Sequence, residues 1–203
     1  MPAVRTQMLE VIRDAYPETF EGLDPSKPLG ETVFSGPTPH PNAVLNLFVQ
    51  EKLTSALPVA YYMAVRRGLD SLMDGCLPAS ARLPPETLKV AMRGLIALRE
   101  MELKETHRLI LGPEAAHQCS STACPSRGAV GPTRWKAYQS FVDRLTDSCG
   151  TGTKILQVIS PDDVRGDDCY GFCEDYVRGW RHGHVGVRGK AWAALPDVFG
   201  FKL

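Results

Sequence analysis

The chain has almost no asparagine, no surplus of charge of either sign and no long apolar run, and each absence closes a possibility. Among 203 residues only Asn42 and Asn46 are asparagine, and neither opens an N-x-S/T acceptor sequon. Twenty-three basic residues balance 23 acidic ones, so the formal net charge is zero and no strongly electrostatic partner is implied. No stretch approaches the roughly 18 apolar residues that a membrane span requires. The N-terminal MPAVRTQMLEVIRDAYPE carries charge throughout, where a secretory signal would have an uncharged core. Together these features predict an intracellular protein of cytoplasm or nucleus with no membrane contact. No segment alternates apolar and polar residues over a strand's length, and there is neither an internal repeat nor a low-complexity tract.

What is present is a series of amphipathic helical segments separated by proline and glycine, which predicts an all-α fold, an irregular multi-helix stack with a long central helix. Val4, Met8, Leu9, Val11 and Ile12 recur at helical spacing and stop at Tyr16-Pro17, because proline disfavours helix in the residue before it. Residues 17–41 are dense in proline and glycine and read as a long loop. Val44, Leu45, Phe48, Val49 and Leu53 then form one apolar face that ends at Leu57-Pro58. From Pro58 a second helix is expected to run to Met73, with Ala60, Met63, Ala64, Leu69, Leu72 and Met73 inward and Arg66, Arg67 and Asp70 in water. After Pro84-Pro85 comes the strongest element, with Leu88, Met92, Leu95, Ile96, Leu103 and Ile110 on one stripe and a stop at Gly112-Pro113. At 1.5 Å per residue it would be about 40 Å long, the spine of the domain. Trp135, Tyr138, Val142, Leu145 and Cys149 mark a further amphipathic helix, and Phe172, Cys173, Tyr176, Val177 and Trp180 a last one. That last helix is expected to fray through its glycines into the closing KAWAALPDVFGFKL.

Two cysteine pairs carry the main chemical question. HQCSSTACPSR holds Cys119 and Cys124 in one turn, and CYGFC holds Cys169 and Cys173 at i, i+4, which places both sulfurs on one side of a helix. Four converging thiolates would make a tetrahedral zinc site. The C-x4-C and C-x3-C spacings are looser than paired C-x2-C knuckles, so a second reading stays open, in which reduced cysteines are small buried hydrophobes. A disulfide is disfavoured because cytosolic and nuclear thiols are kept reduced. Any zinc would be structural, since four protein thiolates leave no open position for substrate.

Other candidates point away from catalysis. Arg178, Arg181, Arg188 and Lys190 surround His182 and His184, a basic cluster over 178–190 that supports nucleic-acid contact as the alternative function; its bland reading is a solvated helix face. CGTGTK at 149–154 lacks the spacing of a phosphate loop and follows no strand. Asp162-Asp163 and Asp167-Asp168 lie in a loop where capping explains them, and no serine or histidine has a nucleophile-elbow or HExxH context.

VRTQMLEVIRDAYPETFEGLD, NAVLNLFVQEKLTSALPVAYYMA and KAWAALPDVFGF, in that order and spacing, resemble the helical region that follows the POZ fold in fungal BTB/POZ-domain proteins. The resemblance spans essentially the whole chain. It implies that residues 1–16 correspond to the last POZ-type helix, 17–41 to a proline-rich loop and 42–203 to a helical post-BTB domain closed by a docking tail. It also implies a non-enzymatic adaptor that binds protein partners of unknown identity. Met1 falls where the last POZ helices would be running, so POZ-mediated dimerisation and cullin docking, which are seated in that fold, are not expected of this chain.

Overall fold

The computed structural model describes residues 16, 19, 39–112, 135, 136, 139, 143, 153, 155, 156 and 174–201. Among these residues 75% are helical and none is in a strand, as the sequence predicts. Five α-helices can be bounded among the described residues: α1 (Pro41–Glu51), α2 (Leu57–Val65), α3 (Leu69–Met73), α4 (Pro85–Leu111) and α5 (Glu174–Val198), with a 3-10 turn at Ala79–Ala81 between α3 and α4. The chain divides into two compact units. One comprises Met1–Leu98, Gly150–Lys154 and Trp192–Leu203, the other Arg99–Cys149 and Ile155–Ala191.

In the first unit, α1 starts at a proline in its first turn, where the missing N–H costs nothing. It stops at Lys52, whose backbone is left-handed at φ 54°. The Leu53 N–H reaches Phe48 O at 3.0 Å and the Lys52 N–H reaches Val49 O at 3.3 Å, the paired bonds of a Schellman end that satisfy otherwise orphaned carbonyls. Val44, Leu45 and Phe48 are buried as predicted, whereas Val49, expected on the same face, is 38% exposed; Tyr16 is buried edge-on against Phe48 with ring centroids 5.2 Å apart.

Helix α2 is apolar all round, and each of its nine residues is buried, which is the burial such a pattern requires. The single helix expected from Pro58 to Met73 is in fact two. Gly68 takes φ 90°, a conformation that costs glycine little and other residues much, and it breaks the helix after Arg66-Arg67. The turn of the chain there shifts which side of α3 faces inward. Leu72 is buried, whereas Leu69 and Met73, both expected inside, are 39% and 58% exposed.

Helix α4 confirms the long element and part of the predicted stripe: Leu95 and Ile110 are buried, and Leu88, Met92 and Leu103 are half-buried. Its buried line runs through Thr87, Ala91, Gly94, Leu98, Glu102, Thr106 and Leu109, while Ile96 is 58% exposed. In the first unit Gly94 marks a close approach: a Cβ there would overlap the ring of Phe199. Helix α5 does not fray at its glycines; it continues for 25 residues and includes Pro196 in its last turn. It ends at Gly200, φ 77°, where the Phe201 N–H donates to Pro196 O at 2.7 Å and the Gly200 N–H to Asp197 O at 3.0 Å. This is a second Schellman end. It turns the chain so that Phe199 stacks on Tyr61 at 5.1 Å and Phe201 lies tilted against the same ring at 5.7 Å. The closing tail is thereby docked on α2.

Candidate functional site

The proposed metal ligands Cys119, Cys124, Cys169 and Cys173 lie outside the described residues, as do Cys149 and the Asp162–Asp168 loop. Among the described residues no group of three or more histidines, cysteines and carboxylates could hold a metal ion. Cys76 has a free thiol on the surface, in a loop whose turn is closed by its own N–H donating to Asp74 Oδ1 at 2.8 Å.

The basic cluster over 178–190 belongs to α5 in the second unit, and its members separate by burial. Arg178, Arg181, His182 and Lys190 are exposed, with Val185 among them. Arg188 is buried and its Nε donates to Leu156 O at 2.9 Å, so it fastens the 155–156 turn and is not offered to a phosphate. His184 is buried too, stacked on Trp180 with centroids 5.3 Å apart. Burial, reinforced by the Arg188 charge, pushes its pKa down to about 4, and the ring is neutral at physiological pH. Lys190 Nζ lies 4.0 Å from Glu105 Oε1, and Glu105 also accepts from Arg108 Nε at 2.8 Å. The HGH pair thus splits between core and water, because residues two apart on a helix face different ways. Trp135, expected on an inward stripe, is 48% exposed, while Trp180 is buried.

In the first unit a polar node joins the start of α1 to α3. His40 is the N-cap residue of α1, and its Nδ1 accepts from the Asn42 N–H at 3.3 Å. Its Nε2 lies 3.4 Å from Ser71 Oγ, and the Asn42 side-chain Nδ2 donates to Ser71 O at 3.2 Å. A neutral imidazole that accepts at Nδ1 carries its proton on Nε2, so His40 donates to Ser71 and cannot deprotonate it. The pair is a structural clasp and not a nucleophile with its base. Burial and the nearby Arg67 charge lower the His40 pKa below its ordinary value, and Asp74 opposes them. Burial also pushes the Tyr16 hydroxyl up to about 12 against the pull of Arg66 and Arg67, so it stays protonated.

The remaining feature is the outer side of α3. Leu69 and Met73, spaced i, i+4, lie on one side of the helix and are exposed. Around them in sequence stand Arg67, Asp70 and Asp74, all exposed, which gives the apolar pair a rim of both charges. The loop after α3 is held in place: Arg82 donates to Leu77 O and Gly75 O, each at 3.1 Å, and Asn46 Nδ2 donates to Ser80 O and Arg82 O, each at 2.9 Å. Periodicity hides this surface, because it assigns Leu69 and Met73 to a helix that continues through Gly68; the glycine after two arginines is the signal that breaks it. His40 is likewise legible only from PHPN, a side chain with an acceptor placed immediately ahead of a proline-initiated helix.

No family model, curated protein or solved structure matches the chain.

Proposed function

We propose that the chain is a non-enzymatic protein-interaction module of adaptor type, the helical region of a BTB/POZ-type protein. The observation that supports it is the exposed Leu69 and Met73 pair on α3, set beside a loop pinned by Arg82 and Asn46. Its occupant is a protein segment with apolar anchors, admitted by the pair and oriented by the Arg67, Asp70 and Asp74 rim. Leu69 and Met73 are 39% and 58% exposed, so covering them contributes about half of the roughly 1.5–3 kcal/mol that burying a fully exposed side chain of this size gives. POZ-mediated dimerisation and cullin docking form no part of the proposal. Against the nucleic-acid alternative stands the burial of Arg188 and His184, which removes two of the cluster's six side chains from any outer surface.

The experiment is crosslinked affinity capture from the native cell with the wild-type chain and a Leu69→Asp/Met73→Asp variant of equal melting temperature. A specific protein recovered by the wild type and lost by about tenfold or more in the variant is the expected result. Equal recovery by both, or salt-sensitive recovery of DNA or RNA instead, would contradict the reading.

The proposal extends to one structural zinc, held by the thiolates of Cys119, Cys124, Cys169 and Cys173. It would tie the segment that follows α4 to the segment that precedes α5 and supply no chemistry, because its coordination sphere is closed.

A further inference from the structure

We propose that His40 is a proton-sensitive clasp, which fastens the start of α1 to α3 while its ring is neutral and releases it on protonation. The device goes beyond the interaction reading and stands without it, since it concerns how α3 is held and not what α3 binds.

The sequence builds the clasp locally. Pro41 confines the residue before it to extended backbone, and His40 has φ −62° and ψ 132°. That conformation makes it an N-cap, with the ring turned back over the first turn so that Nδ1 receives the Asn42 N–H. The other ring nitrogen faces Ser71 Oγ, and Asn42, fully buried, adds its own bond to Ser71 O. Two side chains at the head of α1 therefore converge on one residue of α3.

Protonation undoes the first of these bonds. Nδ1 gains a hydrogen and meets the Asn42 N–H donor to donor, and a positive charge is placed at the positive end of the helix dipole. The charged groups that face the ring are Arg67, from the break between α2 and α3, and Asp74, from the end of α3; α1 has no acidic residue in its first turn. Arg67 opposes the added charge and Asp74 favours it, with burial adding to the opposition. To escape the clash the ring must turn out, and Nε2 then leaves Ser71. The fold holds the His40 pKa below 6.5, so the clasp's contribution is fully present above that pH and is lost as pH falls through the lowered value.

The test uses the full chain and reads two things together between pH 7.5 and 5: the His40 ring titration by NMR, and hydrogen exchange, corrected for its intrinsic pH dependence, at the Leu72 amide that bonds Gly68 O. In the wild type the ring titrates below 6.5 and Leu72 protection falls with it by about fivefold, the change expected for loss of the one hydrogen bond between His40 Nε2 and Ser71 Oγ. His40→Asn keeps a capping acceptor that does not titrate, and its Leu72 protection stays level over the interval. Ser71→Ala leaves the cap but removes the Nε2 partner, so its Leu72 protection is low throughout. A His40 ring that titrates at or above 6.5, an equal fall in His40→Asn, or wild-type protection in Ser71→Ala at neutral pH would overturn the proposal. His184 belongs to the other compact unit, and burial pushes its pKa down to about 4, outside this interval.

Discussion

Lys52 ends α1 in a backbone conformation that disfavours every side chain with a Cβ. It is the one non-glycine residue with positive φ among those described, and the Schellman bonds to Phe48 and Val49 hold it there. Left-handed backbone costs a non-glycine residue on the order of 1 kcal/mol or more, part of which glycine gives back through its freer unfolded chain. Lys52→Gly is therefore expected to raise stability by about 0.5–1 kcal/mol. A urea midpoint that rises with an unchanged slope would bear this out, and a fall would show that the lysine side chain contributes packing its exposure does not suggest. His184 makes the same point about burial: its position in a basic stretch suggests a surface group, yet stacking on Trp180 and desolvation make it a neutral core residue.

At the scale of elements, glycines of similar sequence setting have opposite roles. Gly186 in α5 has open space where a Cβ would stand, whereas a Cβ on Gly183 would meet Leu109 Cδ2 at 2.6 Å and one on Gly94 in α4 would meet the Phe199 ring. Gly186→Ala should stabilise by about 0.5–1 kcal/mol, because helix propensity is the only thing that changes. Gly94→Ala should destabilise by about 1–3 kcal/mol, because Phe199 is buried against Tyr61 and cannot swing aside. Melting curves of the two variants are expected to move in opposite directions. This contrast also explains how much of the fold is legible in the sequence. The all-α class, the long central helix and the apolar face of α1 are legible because proline, glycine and a 3.6-residue period mark them. The buried side of α4 is legible only in part: Leu95 and Ile110 belong to the apolar stripe, but Thr87, Ala91, Gly94, Glu102 and Thr106 are buried as well, and a search for apolar residues passes over them. The exposed side of α3 is hidden because Gly68 turns the chain in the middle of a continuous apolar period.

At the scale of the whole molecule, the proposed zinc is tested by its stoichiometry. If the cysteine pairs at 119 and 124 and at 169 and 173 hold the metal together, elemental analysis of freshly reduced chain gives about one zinc per molecule, as a single site of four thiolates requires. A value near zero would return those residues to the reading of reduced thiols. Among the described residues no helix is long and apolar enough to cross a membrane.

The central proposal is that the chain acts by presenting a surface, with α3 at its centre. Hydrogen exchange across the full chain, measured free and bound to the protein it captures, tests this most directly. The expected result is slowed exchange concentrated over residues 66–74, abolished in Leu69→Asp/Met73→Asp. Protection that instead covers 178–190 in the presence of nucleic acid, or that leaves 66–74 unchanged in the complex, would contradict it.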